Sequence, residues 1–201
     1  MFLPMRHSIP RVAIRVAIAV VALMPTESPA STVLPLSHDQ ILARAATVFH
    51  GVCTHRHSYR DNHGLTVTRY RFQVLDTLKG EPVAERVCVQ PGGVIGDIAT
   101  VVPGLSPHAT GDEVILFLEN DDPTQGYTLP VCLDRGVYRV ILDATGTKLV
   151  RGVSSELHTA HPSGSEPAAT EPVAVFPEAR LSDFKSTVRT RLRQLEGQEK
   201  R

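Results

Sequence analysis

Between Thr66 and Leu118 apolar and polar residues trade places at short range, and the rest of the chain is arranged around that stretch. Tyr70, Phe72 and Val74 alternate with Arg69, Arg71 and Gln73. A period of two sends one set to a buried face and the other to water, which predicts a half-buried strand. Lys79-Gly80 and Pro82 end it. Val87 and Val89 predict a short second strand. It breaks at Pro91-Gly92-Gly93, because proline lacks a ladder donor and glycine tolerates positive φ. Ile98, Thr100 and Val102 resume the alternation as far as Pro103-Gly104. Val114 to Leu118 (VILFL) is apolar throughout and of strand length, so it predicts a strand buried on both faces.

Upstream, Ser37-x-x-Gln40 has the form of a capping box and opens a short helix whose apolar face is Ile41, Leu42 and Ala45. Thr47 to Thr54 predicts the first strand, with a bulge or a close backbone approach at Gly51. His55 to Gly64 is polar and turn-rich and predicts a loop. Downstream come an acidic turn over Glu119 to Asp122, a strand over Gly126 to Val131 and a connection over Cys132 to Gly136. A strand over Val137 to Leu142, a turn at Asp143 to Gly146 and a last strand over Lys148 to Val150 follow. From Ser154 to Glu178 the residues are mainly Ser, Pro, Ala, Thr and Glu without a period. That predicts a flexible linker, over 154–180, into the final helix. Leu181, Phe184, Val188, Leu192 and Leu195 recur at helical spacing, so residues 181–197 predict an amphipathic helix with Ser182 as its N-cap. Short strands punctuated by Gly and Pro make residues 31–153 an all-β domain, a barrel or a sandwich.

The start of the chain adds a compartment. Arg6, Arg11 and Arg15 precede or interrupt an apolar run from Val12 to Met24, and Ser28-Pro29-Ala30 offers small residues for cleavage. Residues 1–30 therefore predict a signal peptide, with an uncleaved anchor as the alternative. Export to the periplasm or outside the cell follows, with no membrane span after cleavage. The full chain has 21 basic and 21 acidic side chains. Losing three Arg and Glu27 leaves the mature part slightly acidic, so no nucleic-acid partner is expected.

All three cysteines, Cys53, Cys88 and Cys132, lie after the signal segment. In an oxidising compartment one disulfide is expected, and Cys88 with Cys132 is the preferred pair because both sit in or beside central strands. The sharpest chemical constellation is Cys53, His55 and His57, with His50 before and His63 after. On a straight strand these three point the same way at intervals of roughly 6.5–7 Å. Thiolate and imidazole suit zinc or copper, given a fourth ligand and supporting partners. The bland alternative is a solvated strand end.

Other motifs carry less. PGGVIGD lacks the Gly-Lys-Ser/Thr helix start of a phosphate loop and predicts a turn. Asp97, Asp112 and Glu113 are turn and cap residues. No GxSxG elbow is present. Arg189, Arg191 and Arg193 put positive charge on the last helix, as a solvated face or as a patch for anionic lipid or polysaccharide.

The order of these motifs resembles a family. A helix, then VFHGV, then LDTLKG, a valine pair with PGG, a Gly-rich run to VPG and a Gly-acid step into VILFL is similar to uncharacterised exported bacterial domains. It is more distantly similar to the barrel of tissue inhibitors of metalloproteinases and netrin modules. The resemblance covers Ser37 to Arg151, and RLSDFKSTVRTRL also fits the bacterial group. It implies an OB-like five-stranded Greek-key barrel with extra strands. The metalloproteinase inhibitors act through a cysteine at the mature N-terminus, whereas this chain would begin at Ser31 with its first cysteine at Cys53. The resulting expectation is an exported, non-enzymatic binding or interaction module for a protein or extended ligand, with no catalytic residues and no cofactor. The alternatives are a metalloprotease inhibitor-like module and a small zinc protein built on Cys53, His55 and His57.

Overall fold

The computed structural model describes residues 36–119, 126–153 and 176–199. The chain divides into Met1–Leu34 and Pro35–Arg201, and every described residue lies in the second unit. The expected signal segment, residues 120–122 of the acidic turn and residues 154–175 of the expected linker fall outside the described residues.

Helix α1 spans His38–Arg44 and starts with the capping box read from the sequence. The Gln40 N–H donates to Ser37 Oγ (3.3 Å) and the Ser37 N–H donates to Gln40 Oε1 (2.8 Å), so two free backbone donors are satisfied at once. At the other end Lys79 Nζ donates to the Leu42 carbonyl (2.8 Å), where a cation suits the helix C-terminus. Strands follow as β1 (Thr47–Arg60), β2 (Thr66–Lys79), β3 (Glu85–Pro91), the pair β4 (Gly93–Ile95) and β5 (Ile98–Thr100), and β6 (Glu113–Leu118). A 3-10 turn at Leu133–Gly136 leads to β7 (Val137–Leu142), β8 (Lys148–Gly152), β9 (Ala179–Arg180) and the long helix α2 (Leu181–Glu199).

The protein is mainly β, as expected. Seven strands form one sheet in the order β3-β2-β1-β6-β7-β8-β9, every neighbour antiparallel, and β4 and β5 form a separate hairpin. Among the described residues no sheet closes on itself. No helix among them is long and apolar enough to cross a membrane.

β6 explains the apolar run VILFL. Ile115 and Phe117 face one core, with α1, α2, Tyr138 and Phe176. Val114, Leu116 and Leu118 face the other, with Phe49, Cys53, Tyr70, Phe72 and Cys88. A strand with a core on each side has no position left for a polar residue. The stripe of α2 lies in the first core: Phe184, Val188 and Leu192 are buried, and Leu181 and Leu195 pack against them. The last helix therefore docks on its own sheet.

Several expectations change. The loop expected over His55–Gly64 is largely strand. β1 continues to Arg60, each residue from His55 on paired with β2, and only the turn at 61–64 is irregular. Polarity there reports exposure of a protruding ribbon and not the lack of a ladder. Asp61 Oδ1 secures its tip by accepting from the N–H groups of His63 (2.9 Å) and Leu65 (2.8 Å). The strand expected over Gly126–Val131 is reduced to one bridge between Pro130 and Leu118, since proline brings no donor to a ladder. Ser182 is not an N-cap. The helix begins one residue earlier, directly from β9, and the Ser182 hydroxyl donates to Asp183. The end of the expected linker is also fixed: Phe176 is buried, and Ala179 and Arg180 pair with Val150 and Leu149 of β8.

Candidate functional site: the cavity beneath the β4–β5 hairpin

The histidine-cysteine cluster is dispersed by a bulge. Register between β1 and β2 slips between Cys53 and His55, so that Cys53 opposes Phe72 and His55 opposes Arg71. The extra residue, Thr54, inverts the alternation. Cys53 stays on the buried face, while His55 and His57 join Arg71 and Arg69 on the exposed one. The expected common face for Cys53, His55 and His57 is therefore not formed. Among the described residues no group of three or more His, Cys, Asp or Glu stands close enough to hold one metal ion. Burial raises the Cys53 thiol pKa, against the hydrogen bond it gives to the His55 carbonyl, so the thiol form is favoured.

The expected Cys88–Cys132 disulfide is not formed, and among the described residues no cysteine is disulfide-bonded. Cys88 is buried in the second core and Cys132 packs against the first, so the sheet separates them. Cys53 and Cys88 share a core, but β2 lies between β1 and β3. Two strand spacings are roughly 9.5 Å, beyond the Cα separation a disulfide spans.

Two histidines inside the molecule have strongly defined surroundings. His50 Nε2 lies 2.8 Å from Glu113 Oε1, and Lys148 Nζ lies 2.7 Å from Glu113 Oε2. Burial lowers the His50 pKa despite the hydrogen bond to Glu113, so the ring is neutral and Nε2–H is the donor. Beside it on β2, Asp76 meets Arg189 (2.7 Å) and Lys185 (2.9 Å) of α2. Partial desolvation raises the Asp76 pKa, but the two cations outweigh it and hold the carboxyl below its usual range. Arg191 reaches Asp39 of α1 at 2.9 Å. Two of the three arginines expected to form a basic patch are thus engaged in fastening α2 to α1 and β2.

His108 is the other. It is 1% exposed and lies edge-on to Tyr70 (5.1 Å between ring centroids) and Phe72 (5.4 Å). Among the described residues neither ring nitrogen has a partner. Burial brings its pKa down to about 4, with Asp112 opposing and Arg139 adding to the shift. Two staples force the ring inward. The turn at 109–112 is bound to Cys53, whose N–H donates to the Asp112 carbonyl (2.9 Å) and whose carbonyl accepts from Gly111 (2.8 Å). Upstream, buried Asp134 accepts from the Ser106 N–H (2.6 Å), and its own N–H donates to the Gly104 carbonyl (2.8 Å).

Residues 105–107 of the same segment, Tyr70, the end of β3 and the β4–β5 hairpin line a partly open cavity of ≈ 120 Å³. Tyr70, Gln90, Val94, Ala99, Val102 and Leu105 are among its lining residues. Gln90 is 3% exposed, and among the described residues its Nε2 has no hydrogen-bond partner. Leaving such a donor unpaired costs about 1–3 kcal/mol. The hairpin reaches this position through two glycines with positive φ: a Cβ on Gly92 would stand 3.0 Å from the Thr100 carbonyl, and one on Gly93 would stand 2.2 Å from Thr68 Oγ1 and 2.5 Å from Ser58 Oγ. Apolar side chains of the hairpin and its exit reach solvent at the cavity's rim, with Val94 61%, Ile98 63% and Val101 81% exposed. Sequence reasoning missed Gln90, His108 and Asp134. The turn-like PGG and the uncharged run from Ile98 to Val102 were the only local signals that a hairpin folds back here.

Searches with this chain find no matching family model and no matching curated protein.

Proposed function

We propose that this protein is an exported, non-enzymatic binding module whose ligand enters the cavity beneath the β4–β5 hairpin. The observation that carries this reading is Gln90: a buried amide donor with no partner, lining an apolar cavity that opens beside exposed Val94, Ile98 and Val101. An apolar cavity of roughly 150 Å³ takes up benzene, so a slightly smaller one suits a single aliphatic side chain. Chemistry on a substrate is less well served. The two histidines with clear pKa shifts, His50 and His108, are both buried and have no solvent-open face from which to exchange a proton.

The barrel belongs to the same proposal. The Thr128 N–H donates to the Val89 carbonyl of β3 (2.7 Å), and two residues later Pro130 bridges Leu118 of β6. Tyr127 Oη donates to Asp61 Oδ2 at the tip of the β1–β2 ribbon (2.9 Å). This strand-like segment supports an OB-like barrel of β3, β2, β1 and β6, with the cavity at its mouth, which is a common ligand position for barrels. The signal-like sequence read over residues 1–30 supports action in the periplasm or beyond.

N-Acetyl-leucine methylamide, which carries one aliphatic side chain and two amide carbonyls, tests the reading. Anything that binds the native state alone raises stability by mass action. The urea midpoint of the wild-type protein should rise with probe concentration, while that of Ala99→Leu, in which the added side chain fills the cavity, should not. Equal response of the two proteins would contradict the assignment.

A further inference from the structure

We infer that the ligand is an extended polypeptide segment, which adds as a strand to the outer edge of β5 and places one uncharged apolar side chain in the cavity beside Gln90. This inference rests on the binding-module reading and names its ligand class.

Three observations converge on a peptide. β5 pairs only with β4 in a two-stranded sheet, so among the described residues its outer edge carries no strand. Ile98, Ala99 and Thr100 are all exposed. Native edges are commonly blunted by charge or proline, yet from Gly93 to Val102 the only charged residue is Asp97, at the hairpin tip, and there is no proline. An unprotected, uncharged edge is what strand addition needs, since main-chain hydrogen bonds supply the affinity.

The second observation is the cavity's chemistry. Its walls at Ala99, Val102 and Leu105 favour an aliphatic group, whereas Gln90, also in the lining, holds a buried Nε2 that lacks an acceptor among the described residues. A hydrocarbon satisfies the walls and leaves the donor unpaired. A peptide supplies both within one residue: the side chain for the walls and the main-chain carbonyl for Gln90.

The third is size. A cavity of ≈ 120 Å³ holds one side chain and no more, so a longer ligand must lie outside it. Ala99 and Thr100 line the cavity and also form the edge strand. The same residues therefore meet the side chain and the main chain of one added strand. In a strand, alternate residues point the same way, and only one of them needs to enter.

The test uses the full mature chain, 15N-labelled, and two probes: N-acetyl-leucine methylamide and the capped peptide acetyl-Thr-Val-Thr-Leu-Thr-Val-Thr-amide. With the peptide, the Gln90 side-chain amide signals should shift saturably, and the edge amides of β5 should exchange at least about tenfold more slowly, as newly paired strand amides do. The single residue should shift Gln90 without slowing β5, and should bind at least about tenfold more weakly, because it lacks the added main-chain bonds. Replacing the peptide's leucine by aspartate should abolish both effects. Ala99→Leu should also abolish peptide binding. Gln90→Leu, which keeps the cavity apolar, should weaken the peptide more than it disturbs the folded spectrum. Binding of the single residue with no tighter binding by the peptide, and no protection of β5, would overturn the peptide inference and leave the cavity reading standing. If neither probe shifts Gln90, both readings fall. Self-association through β5, seen as a dimer in sedimentation with β5 protected in the absence of peptide, would assign the edge to a second copy and overturn the inference.

Discussion

The imidazole of His108 stands edge-on to the ring of Tyr70, with 5.1 Å between centroids, and no group among the described residues satisfies either of its nitrogens. A charged imidazolium in that place would lose its hydration and gain no acceptor. Its pKa accordingly falls from 6.5 to about 4. A depressed histidine pKa means that the unfolded chain binds the proton first, so stability is full above the unfolded pKa and is lost as the pH drops from about 6.5 towards 4. From this group alone, stability should fall by about 2 kcal/mol between pH 7 and pH 5. His50, also lowered, contributes with the same sign. Urea denaturation at both pH values checks this. His108→Phe should flatten most of the dependence, and an unchanged slope in that variant would show that the ring does not titrate in the core.

Asp76 joins α2 to the sheet through Lys185 and Arg189, and all three are at least partly shielded. Asp76→Asn leaves both cations without their carboxylate and should cost about 1–2 kcal/mol in urea denaturation. Arg191 and Asp39 form a pair of similar length at an exposed site. Arg191→Gln should change stability by less than about 1 kcal/mol, because exposed pairs are screened and entropically costly. Equal effects would contradict the ranking.

Phe184 is buried against Phe117, Tyr138 and Phe176. Phe184→Ala should destabilise by about 3–5 kcal/mol, the usual cost of a buried aromatic truncation. Hydrogen exchange should show α2 and β9 opening together in this variant, since β9 runs directly into the helix.

The thiols offer a direct check of the cysteine arrangement. Cys132 is partly exposed, whereas Cys53 and Cys88 are fully buried. A maleimide should label Cys132 in the native protein and the other two only on unfolding, with three thiols counted in denaturant. A protein purified under oxidising conditions that carries a Cys88–Cys132 bond would contradict the placement of those residues in separate cores.

How much of this was readable beforehand depends on the range of the cause. The capping box at Ser37 and Gln40, the unbroken apolar VILFL and the α2 stripe are set by neighbours a few residues away, and each was visible as a pattern. So was Gly51, whose Cβ would lie 2.7 Å from the Gln73 carbonyl. The expected metal cluster failed because one inserted residue, Thr54, reverses the strand's faces, and nothing local announces a bulge there. His108 and Gln90 were missed for a related reason. Their burial comes from the Asp112–Cys53 and Asp134–Ser106 bonds and from a hairpin folding back over β1 and β2, which are long-range events in a segment without a period.

The central claim is that Gln90 offers its amide to a ligand in the cavity beneath the β4–β5 hairpin. The most direct measurement is the crystal structure of the protein soaked with N-acetyl-leucine methylamide. The leucine side chain is expected in the cavity lined by Val94, Ala99, Val102 and Leu105, with a probe carbonyl at hydrogen-bond distance, roughly 2.9 Å, from Gln90 Nε2. A cavity holding only an ordered water on Gln90, with the probe absent at saturating concentration, would contradict the account.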